Sequence, residues 1–126
     1  MHRWDEVCEF LETLPETRRD PEADGEGVRV RGKVIAFPAR NERSRPEGYS
    51  AEELFVVIRI DLQERAYLVQ QWPGLFFVTP HYRTYPGVIT RLASVPEEQL
   101  EELLFDAWRL VAPKRLVKEW EQSQPR

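Results

Sequence analysis

The order in which hydrophobic periods follow one another constrains this chain more than any other feature. Trp4, Val7, Cys8, Leu11 and Leu14 recur at helical spacing, which predicts an amphipathic helix over 3–14, ended by Pro15. In "VRVRGKVIAF" the period becomes two: Val28 and Val30 alternate with Arg29 and Arg31, Gly32 interrupts, and Val34 to Phe37 resume. Glycine supplies the positive φ of a tight hairpin, so the run predicts two strands turning at Arg31-Gly32. "LFVVIRI", 54–60, is short, nearly continuously apolar and bounded by polar residues, which predicts a strand. Asp61-Leu62-Gln63-Glu64 has the form of a capping box and opens a helix to about Gln71, with Leu62, Ala66 and Val69 on one face. Trp72-Pro73-Gly74 stops it. Leu75 to Val78 and Val88 to Leu92 read as strands. Pro96 suits a first helical turn. Leu100, Leu103, Leu104, Ala107, Trp108 and Val111 then mark a third helix, broken at Pro113, and Leu116, Val117 and Trp120 a short last one.

The succession α-β-β-β-α-β-β-α-α implies an antiparallel sheet backed by helices, the α+β class, in a single domain over 1–126. Trp4, Val7, Leu11, Val57, Phe77, Leu100, Leu104 and Trp108 are the expected core. "ETRRDPEADGEG", 16–27, and "PARNERSRPEGYSAEE", 38–53, carry no core period and read as polar connections. Between the strands at 75–78 and 88–92, "TPHYRTYP" has a proline near each end, which limits its backbone freedom. Arg83 in this segment is expected to hydrogen-bond to a carbonyl or to an acid such as Glu101 or Glu102.

Charge is unevenly spread. The net charge is −4, yet residues 28–91 hold ten basic against six acidic side chains, while the flanking segments are acidic. Bulk charge therefore does not mark a nucleic-acid binder, but the middle of the chain can present a basic face. A single cysteine, Cys8, excludes an internal disulfide framework. No apolar run approaches the ~20 residues of a membrane span, and the acids in the first ten residues do not suit a secretory signal. The expectation is a soluble cytoplasmic protein with no membrane role.

Most catalytic chemistries lack their parts. One cysteine and two histidines cannot furnish a zinc site, which needs about four ligands, and no acidic loop of calcium-binding form occurs. No phosphate-binding glycine loop is present; Gly25-Glu26-Gly27 precedes no helix. Asp5, Glu6, Glu9 and Glu12 on the first helix are the sole candidates for an iron-binding acidic ridge, and they read as a solvated helix face. Cys8 lies on an apolar stripe and reads as a core hydrophobe. His81 is the one interior histidine, and no acid lies between Glu64 and Glu97 to orient it. The expectation is no enzyme, no metal and no cofactor.

"FFVTPHYR" (76–83), Tyr85-Pro86, Ala107-Trp108 and "APKRL" (112–116) together closely resemble the MmcQ/YjbR family of small bacterial proteins, and "RVRGK" (29–33) fits that family's first hairpin. The resemblance implies a CyaY-like α+β domain and a DNA-binding role in which hairpins act as a double wing. It marks no residue as catalytic. Two departures stand out: Asp24-Gly25-Glu26-Gly27-Val28 replaces an aromatic-Gly-Thr-Pro-Ala-Phe-like approach to the hairpin, and Thr84 replaces the usual glycine.

Two functions follow. As a DNA-binding module, Arg29, Arg31 and Lys33, with Arg40, Arg43 and Arg45, would contact phosphates while His81, Tyr82 and Arg83 sit beside the groove or stack on bases. As an adaptor for a protein or small ligand, Trp72, Tyr82, Tyr85 and Trp108 would be the anchors.

Overall fold

In the computed structural model, which describes residues 1–20 and 26–125, the expected succession of elements is present with one strand added. The order is α1 (Trp4–Glu12), β1 (Thr17–Asp20), β2 (Gly27–Val30), β3 (Lys33–Pro38), β4 (Phe55–Arg59), α2 (Leu62–Gln71), β5 (Phe76–Phe77), β6 (Gly87–Arg91), α3 (Glu97–Val111) and α4 (Lys114–Ser123). Short 3₁₀ turns occupy Glu42–Ser44 and Pro80–Tyr82. The strands form one antiparallel sheet in the order β1-β2-β3-β4-β6-β5. This is the α+β fold that the hydrophobic periods imply.

Local chemistry explains the turns. Arg31 and Gly32 have φ of 48° and 82°, the left-handed pair that a two-residue hairpin requires to match the twist of its strands. Asp61 accepts hydrogen bonds from the amides of Gln63 (2.8 Å) and Glu64 (3.4 Å) and so caps α2.

The central strands β4 and β6 are buried on both faces, and alternation assigns the sheet's residues to two clusters. Val56, Ile58 and Val88 point toward α1 and α3 and join Val7, Leu11, Leu100, Leu104 and Trp108 in the larger cluster. Trp108 is fully buried; its indole N–H donates to the Pro15 carbonyl at 3.1 Å, and its ring meets Trp120 of α4 at 5.3 Å. Phe55, Val57 and Ile89 point the other way and form a smaller cluster with Ala39, packed by Phe37, Tyr49, Phe77, Tyr82 and Tyr85.

Several expectations are corrected. Residues 17–20, read as part of a polar connection, form edge strand β1, paired with β2 in the register Thr17↔Val30 and Arg18↔Arg29. Four residues of which three are charged give no apolar period, and only Thr17 is buried. Residues 21–25 of that connection, which include Asp24 and Gly25, lie outside the described residues. The connection 38–53 covers the second sheet face: Tyr49 packs edge-on against Phe55 (5.2 Å) and Phe77 (5.6 Å), and Ser44 is buried. Phe77 is half-buried in this smaller cluster rather than in the main core. On α2 the buried face is Arg65 and Leu68, with Leu62 46% exposed, so the face read from Leu62, Ala66 and Val69 is rotated.

Trp108→Ala removes the largest fully buried side chain. It should cost about 3–5 kcal/mol in denaturant unfolding, and an unchanged unfolding midpoint would contradict the packing of α3 on the sheet.

Candidate functional site

The segment Thr79–Gly87 is shaped by one buried guanidinium. Arg65 is 9% exposed and reaches from α2 beneath the segment. Its Nη1 donates to the carbonyls of Tyr82 (3.2 Å), Tyr85 (2.7 Å) and Gly87 (3.2 Å), and its Nη2 to that of Arg83 (2.8 Å). No carboxylate pairs with it among the described residues, and burial lowers its pKa from the ordinary arginine value. Arginine nonetheless stays charged, so the carbonyl dipoles carry the whole task of solvating it. Hydrogen bonds within the segment (Tyr82 N–H to Thr79, Arg83 N–H to Pro80, Tyr85 N–H to Tyr82) coil it tightly enough for these carbonyls to converge.

With the carbonyls turned to Arg65, the rings turn to the second sheet face. Tyr82 and Tyr85 are 5.6 Å apart, each about 6 Å from Phe37 of β3. His81 lies edge-on to Tyr82 at 4.8 Å and is exposed. Gly87 permits this seating: a Cβ there would stand 2.8 Å from Val57 and 2.9 Å from the Tyr85 ring. The Arg59 guanidinium lies 6.0 Å over the Tyr85 ring and donates to the Val34 carbonyl at 2.9 Å.

These rings form one wall of a cleft of about 650 Å³; the other wall holds Arg29, Arg40 and Glu26. Arg29 donates to Asp20 (2.8 Å) and to the Gly32 carbonyl (2.9 Å). Arg40 forms a two-pronged pair with Glu26, which holds that carboxyl below its ordinary pKa. Arg18 shares a sheet face with its register partner Arg29 and has no ion-pair partner among the described residues. The exposed acids of α1 and α3 lie on the opposite, helical side of the sheet.

Of the sequence-predicted contacts, the structure brings Arg29, His81 and Tyr82 to one cleft, with Arg40 beside them. Arg31, at the hairpin turn, is held by Glu16 at 2.6 and 3.1 Å and lies away from the cleft. Lys33 and Arg43 are exposed and do not line it. Arg45 folds back onto the carbonyls of Ser50 (2.8 Å) and Glu53 (2.6 Å) and over the Phe55 ring. The Arg83 guanidinium is exposed and has no partner among the described residues, contrary to the expected hydrogen bond; its carbonyl instead accepts from Arg65. Of the expected anchors, Trp108 is fully buried and offers no contact surface, whereas Trp72 is 39% exposed. Cys8 is buried, which pushes its thiol up to about 11. Among the described residues no three His, Cys, Asp or Glu side chains gather to hold a metal, and no helix is long and apolar enough to cross a membrane.

A family model described as YjbR matches residues 12–110, and the chain belongs to that family. It is 35% identical over 127 residues to the uncharacterized proteins Rv2570 of Mycobacterium tuberculosis (strain H37Rv) and Mb2600 of Mycobacterium bovis, covering 94% of this chain and 95% of each relative. It is similar in fold to the crystal structure of Deinococcus radiodurans protein DR2400, a DUF419 domain. That match has a TM-score of 0.66 and 21% identity, and covers 94% of this chain and 91% of the other.

Arg65→Met keeps an unbranched, flexible side chain while removing every donor. It should destabilise the protein by about 1–3 kcal/mol, because the carbonyls of Arg83 and Gly87 lose a charged donor while those of Tyr82 and Tyr85 keep a backbone one. Arg65→Lys should recover only part of the loss, since an ammonium cannot span four acceptors with a planar fork. Full stability in both variants, measured by urea unfolding, would show that the carbonyls need no guanidinium.

Proposed function

We propose that the chain is a non-enzymatic, cytoplasmic nucleic-acid-binding module whose contact surface is the second face of the sheet. The observation that carries this reading is the cleft in which Arg29 and Arg40 face His81, Tyr82 and Tyr85. Guanidinium groups opposite flat rings suit a ligand that offers phosphates and aromatic bases together. Arg18 and Arg59 extend the cationic surface across neighbouring strands, and the acids of α1 and α3 lie behind the sheet, away from a polyanion. Family membership, with the DNA-binding role that the resemblance implies, points the same way. The absence of catalysis is supported by His81, whose packing partner is Tyr82 rather than a carboxylate, and by Cys8, whose thiol is buried. A second reading, a small-ligand adaptor, draws on the cleft's size, which lies within the range of small-molecule sites.

The arginines at the cleft are already paired, so their acids act as built-in competitors of phosphate. Binding of labelled DNA, measured over a salt series, should weaken as salt rises. Arg29→Ala and Arg40→Ala should each reduce affinity and flatten the slope of log K against log salt by about 0.7–0.9. Glu26→Gln should tighten binding by freeing Arg40. Affinity indifferent to salt and to all three substitutions would exclude this surface.

A further inference from the structure

Resting on that reading, we propose that the nucleic acid taken here is unpaired: a single strand lays one base against the His81–Tyr82 edge of the cleft and its neighbouring phosphates on Arg29 and Arg40.

The first argument is the shape of the site. Its aromatic wall is recessed, with Tyr82 and Tyr85 half-buried against Phe37. In a duplex the base faces are stacked on one another and only their edges are exposed in the grooves. A recessed ring wall therefore has nothing to stack on in a duplex, whereas a base freed from its stack presents a whole face. His81 is exposed at the cleft's mouth, where a flat base can extend the edge-on His81–Tyr82 pair.

The second argument is the state of the hairpin. A wing that enters a duplex groove needs several cations gathered at its tip. In the β2–β3 hairpin the tip is tied down: Arg31 is held by Glu16 and the Gly32 carbonyl by Arg29. Lys33 alone remains, exposed at the start of β3. The cations that line the cleft with the rings are instead Arg29, half-buried, and Arg40, exposed at its rim, each paired with an acid as Arg31 is. A flexible single strand can bring phosphates to both while one of its bases reaches the recessed rings, which the stacked bases of a duplex cannot do.

The test is fluorescence anisotropy with a labelled single-stranded DNA about twelve nucleotides long, the same sequence annealed to its complement, and free thymidine monophosphate as competitor. The single strand should bind at least about tenfold tighter than the duplex, and the mononucleotide should compete only weakly, because one base and one phosphate supply a fraction of the contacts. His81→Ala, at an exposed position, should leave thermal unfolding unchanged and weaken single-strand binding by about 5- to 100-fold. Tyr82→Leu should weaken it similarly while Tyr82→Phe retains it, which separates stacking from a loss of fold. Duplex binding as tight as single-strand binding, with His81→Ala silent, would overturn the inference while leaving a nucleic-acid module in place. A mononucleotide that binds as tightly as the strand would overturn it in favour of a small-ligand site. If neither form of DNA binds the unaltered protein, this inference and the proposed function both fall.

Discussion

A buried guanidinium, with no carboxylate partner among the described residues, fixes the shape of the Thr79–Gly87 segment. Such a charge is costly to remove from water unless hydrogen bonds replace its hydration. Arg65 meets that demand with four main-chain carbonyls, those of Tyr82, Arg83, Tyr85 and Gly87. The demand runs both ways, since the carbonyls it reaches, buried at Gly87 and part-buried at Tyr82, Arg83 and Tyr85, also need donors. Satisfying both fixes which side of the segment faces inward. The rings then have one place to go, against Phe37, and Gly87 leaves room for Tyr85 there.

The same arrangement separates the molecule electrostatically. Antiparallel register puts Arg18 and Arg29 on one face of the sheet, and alternation along β4 puts Arg59 on that face with Val57. Helices α1 and α3, which carry nine of the 22 acids, cover the other face. An overall negative charge is therefore compatible with a locally cationic cleft. The pairs Arg40–Glu26, exposed, and Arg29–Asp20, half-buried, neutralise part of that charge, and the exposed one contributes little to stability.

Much of the fold was legible because apolar residues carry their period openly. The α1 stripe from Trp4 to Leu11, the Arg31-Gly32 turn and the α3 stripe through Trp108 each announce one element in one place. β1 was hidden because a four-residue edge strand with three charged residues needs only Thr17 inside, which leaves no alternation to read. The cleft was half legible. His81, Tyr82 and Arg29 stand out by residue type, but their convergence depends on β2, β3 and the 79–87 segment meeting through the sheet. Arg65 was not legible: in "LQERAYLVQQ" it looks like an ordinary helix-surface cation, and its partners are backbone carbonyls, which have no residue signature. The one available signal was its spacing from Leu68, three residues on, which places both on one helix face.

The most direct test of this account is an arginine-selective NMR experiment on the protein during titration with a single-stranded oligonucleotide. The account predicts that the Arg65 guanidinium protons are visible at neutral pH, protected from solvent exchange and correlated through hydrogen bonds with the carbonyls of residues 82, 83, 85 and 87. It predicts further that these signals stay fixed as the strand is added while those of Arg29 and Arg40 move. Rapidly exchanging Arg65 protons, or a titration that leaves Arg29 and Arg40 unmoved, would contradict it.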